Sequence, residues 1–253
     1  MHRRTFLGVL GALGLAKGAP DNKRTRFYAF ERFTLKNGAG AARLHDFLSQ
    51  SLLPGMNRVH SGPKIILEQF VGPHTPEVLA IYGFSSMEEM SEVHGKVAHD
   101  EAVGKAMQVF ESGVEPAFES LDSWVVEAAD YSPEIKQEAS ETPRIFELRI
   151  YHSPTWRQLG LLHERFRGPE IKIFHRSGVH PILYGSTVIG PNIPNLTYVI
   201  PFADLAAREK AWNAFGADPE WPKVRKESID RGGEIVSSNQ ILLYRATRYS
   251  PVR

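Results

Sequence analysis

Gly72-Pro73-His74-Thr75-Pro76, running on to Phe84, returns as Gly190-Pro191-Asn192-Ile193-Pro194, running on to Phe202, 118 residues later (190 − 72). The same offset, without a gap, pairs Arg58 with Arg176, Pro63 with Pro181, Asp100 with Asp218, Lys105 with Lys223 and His45 with His163. One spacing that holds from end to end means two copies of one unit. Each copy is about a hundred residues, an ordinary size for a folding unit.

Around these anchors each copy reads strand, helix, two strands, helix, strand. In the second copy residues 144–151 alternate, with Phe146, Leu148 and Ile150 on one face and Glu147, Arg149 and Tyr151 on the other. Period two predicts a half-buried strand. Residues 159–173 carry apolar side chains at helical spacing, with a break expected at Gly168-Pro169. Residues 182–189 and 196–202 form a predicted hairpin across the turn from Gly190 to Asn195. Asp204 starts the next helix, and Asp218-Pro219-Glu220-Trp221 starts another with Asp218 as its N-cap. Residues 240–245 are the last strand. The first copy fits the same frame, with strands at 27–35, 65–71, 78–84 and 123–127 and helices at 41–58 and 87–110. Residues 128–143 have linker composition, with one helical turn expected at 134–138.

A βαββαβ unit is ferredoxin-like. The predicted fold class is therefore α+β, with two tandem ferredoxin-like units forming an α+β barrel. The expected boundaries are 25–128 for the first unit, 129–143 for the linker and 144–248 for the second unit. The sheet face away from the helices is apolar and needs cover, from the tandem copy or from a second chain.

The chain has 253 residues, 42% hydrophobic and 23% charged, and Lys+Arg 30 against Asp+Glu 29 leaves a net charge of +1. No basic excess or stripe argues for a nucleic-acid partner. The absence of cysteine excludes disulfides, thiolate metal sites and a cysteine nucleophile. At the N-terminus, Arg3-Arg4 precede Phe6-Leu7 and a short apolar, small-residue run, then Lys17 and Ala19. This resembles a twin-arginine export signal covering residues 1–19, too short for a stable membrane span. Export to the periplasm or the extracellular space is the expected localisation.

The second copy resembles the NIPSNAP family. The residues that carry the resemblance are Phe146-Glu147-Leu148-Arg149-Ile150-Tyr151, the segment from Gly190 to Phe202 with Ala207-Arg208-Glu209 after it, and Asp218-Pro219-Glu220-Trp221. The first copy is a divergent version, with Ala29 at the place of Glu147 and Glu31 at the place of Arg149. The resemblance implies a dimeric α+β-barrel fold and a homo-oligomer, and implies little about activity.

Glu147, Arg149 and Tyr151 share one strand face, which this reading points into the barrel. They form either a ligand pocket in which Arg149 holds an anionic or carbonyl group, or a structural ion pair. His163 recurs as His45 on the first helix of each copy, as a ligand-facing group or as a boundary residue. Trp221 and Trp212 read as core anchors or as the apolar wall of a pocket. Glu147, Arg149, Tyr151, Trp221 and His163 are the candidate ligand-binding residues. No metal-ligand spacing and no Gly-x-Ser-x-Gly stand in the sequence, and no cofactor is assigned. Three functions remain. The first is an exported module binding a small apolar or amphipathic molecule in the barrel. The second is a small barrel-oxygenase-like enzyme, and the third an assembly module. The first leads, because no acid, base or nucleophile has an orienting partner.

Overall fold

Every element of the first copy has its counterpart 118 residues on. The first copy comprises β1 (Phe27–Thr34), α1 (Gly40–Phe47), a five-residue π-helical turn (Leu48–Leu52), α2 (Leu53–Val59), β2 (Lys64–Val71), β3 (Glu77–Phe84), α3 (Met87–Ala98), α4 (Glu101–Glu111) and β4 (Ser120–Ala128). The second comprises β5 (Ile145–His152), α5 (Trp156–Arg165), a second π-helical turn (Phe166–Glu170), α6 (Ile171–Arg176), β6 (Leu183–Ile189), β7 (Asn195–Phe202), α7 (Leu205–Gly216), α8 (Trp221–Gly232) and β8 (Ser238–Ala246). This computed structural model describes residues 24–253 apart from Ala39 and Pro143. The export segment expected at 1–19 lies outside the described residues.

Three local expectations are corrected. Each first helix is divided by its π-helical turn, and in the second copy Gly168 leaves helical geometry next to Pro169, whose ring cannot follow an uninterrupted helix. Residues 134–138 form no helical turn. Instead Ile135 joins the barrel core, and the Ser132 hydroxyl accepts from the Tyr184 N–H at 3.0 Å. Asp218 is not the N-cap of α8. The helix starts at Trp221 behind Glu220 and places Pro222 in its first turn, where a missing N–H costs nothing. Asp218 caps the preceding turn through Glu220 N at 3.0 Å and pairs with Arg176 at 2.7 Å. Arg58 and Asp100 make the matching pair at 2.6 Å in the first copy.

The eight strands close one barrel in the order β1-β3-β2-β8-β5-β7-β6-β4. All pairings are antiparallel, and the two units meet along β2–β8 and β4–β6. The cover for each apolar sheet face thus comes from the tandem copy, within one chain. The interior cluster is drawn from all eight strands and includes Tyr28, Phe30, Leu67, Ile81, Phe146, Leu148, Leu183, Val199 and Tyr244. One end of this interior is polar: Tyr244 Oη donates to Glu77 at 2.5 Å, and Gln69 Nε2 reaches the same carboxylate at 3.2 Å. The helices lie outside the barrel and form a separate apolar layer over each half.

Two clasps join the halves. Tyr131, just after β4, meets His163 of α5 at 2.7 Å, and Tyr249, just after β8, meets His45 of α1 at 2.6 Å. These tyrosines are again 118 residues apart. At the β4–β6 seam Gly185 is required by close approach. A Cβ there would stand 2.5 Å from both the Glu127 carbonyl oxygen and Val126 Cγ1. Gly185→Ala should force the seam apart and cost about 2 kcal/mol in urea unfolding.

Candidate functional site

The alternation seen in the sequence is present in β5, but its polar face is turned the other way. Phe146, Leu148 and Ile150 belong to the barrel interior, while Glu147, Arg149 and Tyr151 face the helix layer. The reason lies on α7. Arg208 and Trp212, four residues apart, present a cation and an indole N–H on one helical face, and both donate to Glu147. The Arg208 Nε contact is 2.5 Å and the Trp212 Nε1 contact is 3.1 Å. Arg149 Nε bonds the other carboxylate oxygen, and its Nη1 donates to Tyr151 Oη at 2.9 Å. The Arg149 guanidinium stacks on Trp212, 3.7 Å from the ring centroid. Glu147 is 0% exposed and takes three donors from inside the protein.

The other two candidates lie apart from this network. Trp221 is half-buried, packs on Phe215 at 4.5 Å and carries the Arg165 guanidinium at 5.2 Å, so it joins Trp212 only through Phe215. His163 lies in an open groove of about 390 Å³ beside Ala129, Asp130 and Arg167. Its ring nitrogens meet Tyr131 Oη and Ser186 Oγ at 2.7 and 2.8 Å. Burial first, then Arg167, lowers its pKa to about 4, so the ring is neutral near pH 7. The equivalent His45–Tyr249 clasp has Glu68 in place of the serine, so the recurring feature is the clasp.

A smaller and more enclosed space lies in the layer of the first unit, where sequence reasoning placed nothing. A slot of about 50 Å³ runs between α1–α4 and the sheet. That is room for about four water-sized groups. Phe33, Phe47, Met56, Val97, Met107 and Phe110 are among its walls. Its polar groups are Glu31, Tyr82 and His94. Glu31 itself is partly exposed; among the described residues no hydrogen bond or ion pair reaches its carboxyl, and partial loss of hydration pushes its pKa up to about 7. Tyr82 is 1% exposed and its hydroxyl has no partner. Burial, and then the Glu31 charge, hold that phenol well above its ordinary pKa, so it stays protonated. His94 is shifted downward by burial and then by His60.

The repeat explains the slot. Glu31 stands where the second unit has Arg149, Ala29 where it has Glu147, and Met90 where it has Arg208. Met56, Ala80, His94, Val97 and Val103 replace Phe174, Tyr198, Trp212, Phe215 and Trp221. Smaller side chains leave volume, and the partners that pair with the charge at this position in the second unit are gone. The charge reversal from Arg149 to Glu31 was visible in the aligned copies and was the available signal. Among the described residues no group of three or more His, Cys, Asp or Glu side chains converges as a metal site. No described helix is long and apolar enough to cross a membrane.

The sequence profile of the NIPSNAP family matches residues 146–251, the second unit. No curated protein matches the chain. Among solved structures it is similar to an anthrone oxidase-like protein at 12% identity, over 88% of this chain and 92% of that one, with a TM-score of 0.54. It is also similar to a monooxygenase candidate from Fusobacterium nucleatum subsp. nucleatum (10% identity, 88% and 93% covered, TM-score 0.57). A variant chlorite dismutase from Candidatus Nitrospira defluvii matches at 8% identity, 90% and 93% covered, with a TM-score of 0.51. At these identities the likeness is one of fold.

Two substitutions separate the layers. Arg149→Ala should destabilise the protein by about 3–5 kcal/mol in urea unfolding, because it breaks a buried pair and leaves Glu147 and Arg208 to rearrange. Glu31→Gln should act in the opposite sense and depend on pH. The folded protein holds the Glu31 proton up to about pH 7, whereas the unfolded chain releases it near its ordinary value. Stability therefore falls as pH rises between these two values. Glu31→Gln should raise Tm at pH 8, by about 2 kcal/mol of stability, and change little at pH 4.

Proposed function

We propose that this chain is a NIPSNAP-like barrel protein that binds a small apolar or amphipathic molecule in the helix–sheet slot of its first unit. The site is not the barrel interior, which the strands' own side chains occupy. The observation that carries the reading is a slot with apolar walls around two polar groups, Glu31 and Tyr82, that lack partners among the described residues. Binding pockets combine mostly apolar walls with a few convergent polar groups. The second unit, where the family profile matches, has this volume filled by Trp212, Phe174 and Phe215 packed edge to face. Its candidate Arg149 is committed to Glu147, Tyr151 and Trp212. Binding is favoured over an oxygenase-like reaction because the strands' side chains fill the barrel interior and Arg149 is engaged within the protein. We further propose export directed by the Arg3-Arg4 segment and self-association, for which exposed Val71, Val188, Ile189 and Ile241 supply apolar surface.

Met56 and Met107 line the slot, so their methyl groups are its reporters. 1-Butanol should shift both methyl resonances in a saturable manner in the wild-type protein. Met56→Phe, which installs the residue of the second unit, should abolish the Met107 shift. Unchanged methyl resonances over the whole titration would exclude the slot as a binding site.

A further inference from the structure

We infer that the slot of the first unit selects small amphipathic cations, a protonated amine on a slim apolar body, with the ammonium held on Glu31. This inference rests on the slot being a binding site and adds the charge of its occupant.

The charge census of the slot is one-sided. Glu31 is the only acid among its lining residues, and no lysine or arginine lines it. Tyr82 from β3 and His94 from α3 are the other titratable groups facing it. The remaining lining residues, from α1, the π-helical turn, α2, α4 and the strands, are apolar. Tyr82 is a neutral phenol and His94 is shifted toward its neutral form. No charged group contributes to the Glu31 pKa.

Glu31 is partly exposed, and among the described residues no cation pairs with its carboxylate; a carboxylate drawn part-way out of water favours a counter-charge. The second unit shows how this layer completes a charge from within. Glu147 lies on the neighbouring same-face position of the strand that carries Arg149, and Arg208 approaches from the helix above. In the first unit the matching positions are Ala29 and Met90, which complete nothing. A charge partner for Glu31 therefore comes from outside the chain, and a cation is the ligand charge that its carboxylate favours. Phe33, Phe47, Phe110 and Tyr82 put aromatic rings around the same volume, a surrounding that favours an organic cation. A carboxylate ligand would meet Glu31 as a like charge. An alcohol would find a hydrogen-bond partner and leave the charge uncompensated.

The test uses the whole protein and a matched series of butylamine, 1-butanol and butyrate, titrated at pH 6 and pH 8 against the Met56 and Met107 methyl resonances. At pH 8 butylamine should bind at least about tenfold tighter than 1-butanol, and butyrate should not bind. The amine advantage should shrink at pH 6, where Glu31 holds its proton, while 1-butanol stays level. Glu31→Gln should remove the amine advantage and retain 1-butanol binding. Equal binding of amine and alcohol at pH 8, or an amine preference that survives Glu31→Gln, would overturn the inference and leave the slot as an apolar site. Absence of binding by all three would overturn the site itself.

Discussion

An open four-stranded sheet has two unpaired edges and, here, one apolar face without helices. Both problems are solved in one step when β2 pairs with β8 and β4 pairs with β6. Closure removes every edge, and eight strands leave an interior just wide enough for side chains to fill. Tyr28, Phe30, Phe146, Leu148 and Tyr244 fill it. The consequence for function is spatial. Once the interior is occupied, the spaces free to diverge are the two outer layers, where helices lie over the sheet. The clasps Tyr131–His163 and Tyr249–His45 hold these layers in register with the barrel by tying the tail of each half to the first helix of the other.

Duplication made those layers equivalent, and substitution made them different. In the second unit the charged groups close on each other: Glu147 receives Arg149, Arg208 and Trp212, and aromatic rings take up the volume. In the first unit one charge is reversed, its partners are lost and the aromatics shrink. These changes are coupled in space. Glu31 and Arg149 occupy one site, and His94 and Trp212 occupy the position facing it. The layer with the stronger family resemblance is therefore closed, and the divergent layer is the one with room.

The architecture was legible in the sequence because backbone periodicity and turn chemistry are local. The gapless offset, the hairpin turns and the strand alternation required no knowledge of neighbours. Two matters were not local. Alternation shows that Glu147, Arg149 and Tyr151 share a face, but both faces of β5 are covered and nothing in the strand says by what. The answer lay on α7, where Arg208 and Trp212 complement Glu147 from about sixty residues away. The slot was hidden for a second reason. A cavity is an absence of volume, visible only when His94, Val97 and Met56 are set against the larger residues of the other copy. Glu31 departs from the repeat pattern in the sequence itself, and its significance lies in Ala29 and Met90, which withhold the partners that the second unit supplies at Glu147 and Arg208.

An unpaired carboxyl held at a pKa of about 7 is a standing cost to the folded protein near neutral pH. The shift from an ordinary carboxyl value, reduced for the partial exposure of the group, corresponds to roughly 2 kcal/mol once it is ionised, a sizeable part of the about 5–15 kcal/mol that holds a typical domain together. Glutamine would remove that cost at nearly constant volume, and a larger apolar residue would fill the slot as well. The second unit shows that the same backbone supports a completed network. Groups that oppose folding in this way, in a cleft and with perturbed pKa values, are a mark of sites kept for binding or chemistry. Glu31 therefore supports the proposed placement of the binding site in the divergent half, on the same physical grounds that make Glu147 a structural residue in the other.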